Sequence, residues 1–314
     1  MAQKDLKERI GSVKNIQKIT RAMEMVAAAR LRRAEQRIEH LRPYAAAIRR
    51  MTRLAAEAAE NIPRMPILQQ RDEHHDVGLL FVTGDRGLAG AFNSQIIRAG
   101  LRAAAELESQ GITPVYYASG KRGVSSLTFR QLHVAGSYVG FTDRPAYANA
   151  REIAENLMAA YVDGKLDRVE ILYNGYISPL SQEVRREVLL PLQEATILEE
   201  GGAEESARGA EGDELEGSAL HREEQVHHAL VEYEPGPEEI LQRLVPDYVE
   251  ISVYRALLES TASEHGARMT AMRNASENAS ELIEDLTLEM NRARQAEITQ
   301  EIMEVVAGAE GLSG

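Results

Sequence analysis

The sequence predicts an α/β domain inserted between two long helices that pair with each other as an antiparallel coiled coil. Apolar residues recur at steps of three or four over residues 3–61 and again over residues 247–309, which is typical of helices with one apolar face. Between these ends, strand and helix patterns alternate at the spacing of βαβ units. The two ends also carry opposite net charge, which favours pairing across the chain.

The N-terminal helix is predicted over residues 1–62. A helix of about 55 residues is roughly 80 Å long at 1.5 Å per residue. Pro43 is expected to kink this helix or to mark a boundary between two helices, and Pro63 and Pro66 are expected to end it.

The α/β globular domain is predicted over residues 76–198, with a parallel, Rossmann-like sheet. The apolar run VGLLFVT at residues 77–83 is consistent with a buried parallel strand. Further strands are predicted at residues 112–118 and 169–174, and helices at residues 93–110 and 147–161. This alternation indicates βαβ units.

Residues 199–228 contain few bulky apolar side chains and are rich in Glu, Gly, Ala and Ser. Such a segment cannot bury enough surface to offset its ordering entropy, so it is predicted to be a mobile acidic loop. Residues 229–246, with Pro235, Pro237 and Pro246, are expected to return to the globular domain, and residues 247–314 to form the C-terminal coiled-coil helix.

Charge is distributed unevenly along the chain. Residues 1–55 hold 14 Lys and Arg against 5 acids, and residues 246–314 hold 5 Arg against 13 acids. Neither long helix can bury its apolar stripe alone, so the two are expected to form a coil that projects from the domain and lies against a partner. The arginines of the first helix are expected to neutralise an acidic partner or the acidic second helix.

Composition excludes several classes of protein. The chain has no Cys, which excludes disulfide frameworks, thiolate catalysis and cysteine-based metal sites. Stretches without Asp, Glu, Lys or Arg reach 12 residues at 109–120, short of the roughly 20 that span a bilayer. The N-terminus lacks the apolar core of a signal peptide. A cytosolic protein, or a soluble part of a larger one, is therefore expected.

Three chemical hypotheses remain weaker than their structural alternatives. The loop at residues 84–90 has the spacing G-x-x-G-x-x-G, so a tight strand-to-helix turn is favoured over a nucleotide site. His227 and His228 lie near acidic residues and leave a weak divalent-metal site open. The arginines of the first helix are not interleaved with aromatic residues, which disfavours nucleic acid. Carboxylates on the long helices are expected to be solvated. No catalytic, cofactor or metal site is predicted.

Three segments resemble one family, the gamma subunit of rotary ATP synthases. They are IGSVKNIQKITRAMEMVAAARLRRAE at residues 10–35, TGDRGLAGAFN at residues 83–93, and ARMTAMRNASENAS with LTLEMNRARQAEITQEIMEVVAGA within residues 267–309. The chain departs from the family pattern at Ala89, Gly266 and Met290 and in its long acidic loop. Plastid relatives carry a regulatory cysteine pair in a comparable insertion, and that redox switch cannot operate in a chain without Cys.

The resemblance implies a non-catalytic rotor shaft, present in one copy. The coil would enter a head of three alpha and three beta subunits, and the α/β domain would join the epsilon subunit and the membrane c-ring, at the cytoplasmic face of the bacterial cell membrane. Met23, Arg294, Gln295 and Thr299 would contact a beta subunit, and Tyr233 and Glu234 the c-ring. A self-associating coiled-coil scaffold and a nucleotide-binding α/β enzyme are the alternatives.

Overall fold

The computed structural model describes residues 2–58, 65–69, 71, 75–179, 181–192, 234 and 236–313. Two long helices form the ends of the chain, α1 at Ala2–Ala58 and α5 at Pro237–Ser313. The predicted acidic loop at residues 199–228, with His227 and His228, lies outside the described residues.

The central domain alternates strands and helices, as predicted. A 3-10 turn at Pro66–Leu68 precedes it. In chain order the elements are β1 Asp76–Val82, α2 Phe92–Ser109, β2 Thr113–Ser119, α3 Lys121–Phe129, β3 Val134–Tyr138, α4 Tyr147–Val162, β4 Arg168–Ser178 and β5 Ser181–Leu190. α3, β3 and β5 are not among the predicted elements, because they are short or carry few consecutive apolar residues.

The five strands form one sheet in the order β3-β2-β1-β4-β5. The first four are parallel, whereas β5 pairs antiparallel with β4. The prediction of a parallel sheet is therefore correct for four strands and wrong for the edge strand. β5 follows β4 through a tight hairpin, and a hairpin can join only antiparallel strands.

Helices cover both faces of the sheet. On one face Leu79 and Phe81 of β1 pack with α2 and with Leu127 of α3. On the other face Leu80 and Val82 pack with α4 and with the first third of α5. Alternate residues of β1 thus enter two separate cores, which explains why this strand is apolar throughout.

Both internal prolines lie within continuous helices. α1 runs through Pro43, so of the two expected alternatives, a kink or a boundary between two helices, the boundary is excluded. α5 begins at Pro237 and runs through Pro246, ten residues earlier than the predicted start at residue 247. A proline inside a helix costs about 3 kcal/mol. Burial of the neighbouring Leu244, Val245 and Val249 offsets this cost.

Candidate functional site: a two-helix coil anchored on the sheet

The two long helices pack against each other in antiparallel register. Ala45 and Ile48 of α1 cluster with Leu244 and Ile251 of α5. Further along, Leu31 and Ala34 cluster with Ala262. The contacts move backwards along α1 as they move forwards along α5, which confirms the predicted antiparallel pairing.

Charge attraction contributes less to this pairing than the sequence analysis expects. An ion pair between the helices joins Glu24 of α1 to Arg273 of α5 at 3.0 Å, with the acid on the basic helix and the base on the acidic one. Arg30 of α1 instead pairs with Asp143, in the loop after β3. The helix contacts described above are apolar, so burial of small apolar side chains is the main force between the helices.

The register also explains why apolar residues near the end of α5 are exposed. Continued residue by residue, it brings Ala2 level with Arg294. Residues 295–313 therefore extend beyond α1, over roughly 28 Å of helix at 1.5 Å per residue. This segment and the projecting part of α1 expose large apolar side chains, namely Ile16, Ile19, Met25, Val26, Ile298, Ile302, Met303, Val305 and Val306.

These exposed residues correct the expectation that the regularly spaced apolar residues of both helices all face the other helix. Ile16, Ile19, Val26, Ile298, Ile302 and Val305 have the spacing of a seam, yet each is 47–73% exposed. On α1 the apolar stripe is wider than its contact with α5, whereas Ile298, Ile302 and Val305 lie beyond the end of α1. Such a surface marks a site for a further protein.

Hydroxyl groups of α5 form hydrogen bonds that hold the coil against the α/β domain at the carboxyl ends of the strands. Ser260 Oγ donates to the carbonyl oxygen of Val82 in β1 at 3.3 Å. Ser263 Oγ donates to the carbonyl oxygen of Asn174 in β4 at 3.0 Å. Thr261 Oγ1 donates at 2.9 Å to the carbonyl oxygen of Thr142. Four small residues in succession, 260–263, bring α5 this close to the sheet.

This contact occupies the crevice between β1 and β4, where the strand order changes direction. Doubly wound folds bind nucleotides at that point. Here α5 fills it, and a cavity of about 10 Å³ lined by Val82, Thr83, Thr142, Leu257, Ser260, Thr261 and Glu264 remains. That volume holds about one water molecule. The packing at this crevice argues against the nucleotide-binding alternative.

The glycine-containing loop between β1 and α2 is held by the carboxylate of Asp85. The carboxylate accepts hydrogen bonds from the backbone N–H groups of Lys121 at 3.0 Å, Gly140 at 2.9 Å and Thr142 at 3.2 Å. Burial raises the pKa of Asp85, but these hydrogen bonds outweigh it and keep the pKa below its usual value. The amide at the start of α3, where a phosphate could bind, is therefore already paired with a side chain. The preferred interpretation as a tight turn agrees with this geometry.

We expect Asp85→Asn to destabilise the isolated chain by about 1–2 kcal/mol, because an amide accepts these hydrogen bonds less strongly than a carboxylate does. Urea denaturation at pH 7 measures the change. Asp163→Asn is the control, since Asp163 is exposed and pairs with the exposed Lys165. Equal stability of the two variants would contradict the anchoring role.

A buried charged network lies where α5 crosses this loop. Glu264 and Arg268 form an ion pair at 2.5 Å, and their side chains are 4% and 9% exposed. Arg268 also donates to the carbonyl oxygen of Gly87 and contacts Nδ1 of His265 at 3.3 Å. Burial raises the pKa of Glu264 despite the neighbouring guanidinium. A Cβ atom on Gly84 would lie 2.7–2.8 Å from the Glu264 carboxylate, so only glycine lets the loop approach.

These buried groups correct another expectation. Carboxylates of the long helices are predicted to be solvated, yet Glu250, Glu259 and Glu264 of α5 are all buried. Each is paired with an arginine, respectively Arg151, Arg185 and Arg268. In the sequence, Glu264 has an arginine four residues away at 268, and Glu259 has one at 255, and this spacing could have indicated both pairs.

Known proteins share this sequence and fold over nearly the whole chain. A family model described as ATP synthase matches residues 2–312. The ATP synthase gamma chain of Rubrobacter xylanophilus is 42% identical, over 99% of this chain and 98% of the relative. That of Moorella thermoacetica is 40% identical, over 98% of both chains. The chain is a member of the ATP synthase gamma-chain family.

Solved structures agree with this family. A chain from the central stalk and c-ring of the Tetrahymena thermophila mitochondrial ATP synthase superposes with a TM-score of 0.58 at 25% identity, over 82% of this chain and 99% of that chain. A chain of the Euglena gracilis mitochondrial enzyme gives a TM-score of 0.62 at 18% identity, over 99% and 94% of the two chains. The latter similarity concerns the fold alone.

Within this gamma-chain fold, the predicted contact residues lie far apart along the coil. Met23 is half-buried on α1. Arg294, Gln295 and Thr299 are exposed on α5, and Thr299 Oγ1 donates to the carbonyl oxygen of Gln295 at 2.8 Å. Glu234 is exposed just before α5, whereas Tyr233 lies outside the described residues. Their roles remain predictions.

Three findings bear on other predicted features. No helix among the described residues is long and apolar enough to cross a membrane. In the same part of the chain, no group of three or more His, Cys, Asp or Glu side chains could hold a metal ion. The weak metal site that the sequence leaves open at His227 and His228 falls on residues that are not described.

Proposed function

We propose that this chain is the central rotor shaft of a rotary ATP synthase. The coil enters a head of three alpha and three beta subunits, and the α/β domain joins the epsilon subunit and the membrane c-ring. Membership of the gamma-chain family carries this proposal. The projecting coil with exposed apolar side chains supports it, because such a surface needs an enclosing partner.

The shaft acts by presenting different faces to identical partners. A partner's equilibrium between open and closed forms shifts only when the shaft contacts the two forms unequally. Two helices of unequal length, with a single helix beyond residue 294, provide an asymmetric surface. In this proposal the nucleotide chemistry belongs to the head, and this chain supplies no catalytic, cofactor or metal-binding residue. It is a peripheral subunit at the cytoplasmic face of the bacterial membrane.

Affinity purification from the native cell tests the proposal. One copy of the chain should co-purify with a much larger ATPase assembly. A stable free monomer without that assembly would contradict the rotor. A homodimer in sedimentation would support the alternative, a self-associating coiled-coil scaffold. Specific binding of ATP or NAD by the isolated chain in equilibrium dialysis would support a nucleotide-binding enzyme.

Arg294 is proposed to contact a beta subunit together with Gln295, Thr299 and Met23. Its exposed guanidinium can form bidentate hydrogen bonds to carboxylates. The contact of Tyr233 and Glu234 with c-ring loops is proposed from the match of these two residues to the c-ring contact of the family, although the neighbouring acidic loop departs from the family pattern.

We expect Arg294→Ala to lower proton pumping per ATP hydrolysed by at least about two-fold, because a charge-assisted hydrogen bond contributes about 1.5–3 kcal/mol. Pumping and hydrolysis are measured together on membrane vesicles that contain the assembled complex. The melting temperature of the isolated chain should not change, since Arg294 is exposed. Arg292→Ala is the control, because Arg292 is also exposed but lies about 200° away around the helix. Equal pumping efficiency in both variants would contradict the role.

A further inference from the structure

Arg30 and Glu35 of α1 form polar contacts with the α/β domain in the described part of the chain. Arg30 forms an ion pair with Asp143, in the loop between β3 and α4. Glu35 accepts a hydrogen bond from the hydroxyl of Tyr176, near the end of β4. The two α1 residues are five positions apart, which is less than one and a half helical turns. Both contacts therefore hold the same short section of α1.

The partners in the domain are themselves firmly placed. The ring of Tyr176 packs against the cluster of Leu31, Ala34 and Ala262, so it lies between the two helices and the sheet. The β4–β5 hairpin approaches α5 closely, since a Cβ atom on Gly266 would lie 3.0 Å from the carbonyl oxygen of Pro179. Glycine at position 266 makes this approach possible.

Asp143, the partner of Arg30, is also held in place by groups of α5. Its Oδ2 atom pairs with Arg30, while its Oδ1 atom lies 3.8 Å from Nε2 of the buried His265 on α5. The neighbouring Thr142 is bound to Thr261 of α5 through its carbonyl oxygen. The loop that carries Asp143 is therefore bound to α5 through Thr142 and to α1 through Asp143.

The two helices differ in how they are joined to the domain. α5 is bound to the α/β domain by the hydroxyl groups of Ser260, Thr261 and Ser263, and Arg268 donates to the carbonyl oxygen of Gly87. Away from these contacts, α1 meets α5 chiefly through small apolar side chains such as Ala34, Ala45 and Ala262. Apolar packing is non-directional and opposes sliding or rolling of α1 only weakly, and the ion pair of Glu24 with Arg273 adds little because the Arg273 side chain is half-exposed. Directional bonds to a fixed body prevent both movements.

We propose that two contacts, Arg30 with Asp143 and Glu35 with Tyr176, are positioning contacts that fix α1 to the α/β domain. Because of them, torque on the domain turns both helices of the coil together. We call these two contacts the α1 pins. The inference rests on the proposed rotor function, and the experiment below distinguishes failure of the pins from failure of that function.

Because the chain contains no cysteine, cysteines introduced at chosen positions are its only labelling sites, and the distance between two labels can be measured directly. Spin labels are attached to cysteines introduced at the exposed positions Arg33 on α1 and Glu152 on α4, in the assembled complex. Electron–electron distance measurements then compare the unmodified pins with the double variant Asp143→Ala/Tyr176→Phe. We expect a narrow distance distribution with the pins, and loss of that narrow distribution without them.

Matched variants separate the pins from general stability. Arg151→Ala breaks an ion pair of 3.0 Å between α4 and Glu250, which joins the same domain to α5 and not to α1. It should leave the distribution narrow. Glu35→Gln keeps an acceptor for the Tyr176 hydroxyl and should also keep it narrow. A narrow distribution in the double variant would overturn the proposal, as would equal broadening in Arg151→Ala.

Proton pumping per ATP hydrolysed is measured on the same complexes. Loss of the narrow distribution together with lower pumping efficiency supports the pins as parts of the torque path. If the distribution broadens but pumping efficiency is unchanged, the pins hold α1 without carrying torque, and the proposal is overturned. Failure of the rotor function itself would appear separately, as absence of the chain from the ATPase assembly.

Discussion

Arg268→Met is expected to destabilise the isolated chain by about 3–5 kcal/mol, because removing one partner of a buried ion pair leaves the other charge uncompensated. Glu264 is 3% exposed, and burial already raises its pKa while Arg268 is present. Without the guanidinium, Glu264 must either stay charged in a poorly solvated place or take up a proton. Urea denaturation at pH 7 measures the loss.

Two further variants test this explanation. Arg273→Met removes an α5 arginine that pairs with Glu24 but has a half-exposed side chain, so the loss should stay below about 1 kcal/mol. The double variant Glu264→Gln/Arg268→Met removes both charges and should recover much of the stability lost in Arg268→Met. If the double variant is less stable than the single one, the uncompensated charge is not the cause.

Stability is also expected to fall between pH 6.5 and pH 4, because His265 must stay neutral in the folded chain. Burial lowers its pKa from 6.5 to about 4, with Arg268 and Arg30 adding to the decrease and Asp143 opposing it. In this range the unfolded chain binds a proton that the folded chain does not, so the free energy of unfolding decreases as the pH falls. The shift corresponds to a loss on the order of 3 kcal/mol.

The variant His265→Gln isolates this contribution, since glutamine does not titrate. Unfolding free energies of both proteins are measured by urea denaturation from pH 7 to pH 4. Their difference should grow in favour of His265→Gln as the pH falls. The raised pKa of Glu264 acts in the opposite direction, because the folded chain takes up that proton first. A pH-independent difference between the two proteins would contradict the neutral, buried state of His265.

The long helices and the strands that enter two cores could be predicted from the sequence. Residues such as Leu31, Ala34 and Ile48 recur at helical spacing, and the continuous apolar run of β1 indicates a strand covered on both faces. β5 could not be found in this way. Eight of its ten residues are partly or fully exposed and four are charged, because it is an edge strand, and its position depends on the hairpin from β4.

The contact between α5 and the sheet could not be predicted from sequence patterns. Ser260, Thr261, Ser263 and Glu264 have the composition of a solvated helix face, and only their tertiary partners make them buried. The same holds for Asp143 and Tyr176, which lie 113 and 141 residues from their α1 partners in the chain. Local spacing carries no information on contacts at such separations.

The sequence by itself determined the helical ends, the alternating domain and, through its motifs, the family, because these depend on periodicity and on short runs of residues. Only the tertiary structure decided which apolar residues face the other helix and which remain exposed, because residues of both kinds recur at the same helical spacing in the sequence. It alone also decided which charged groups are buried. Burial depends on what packs against a side chain, and in this chain the packing elements come from opposite ends of the sequence.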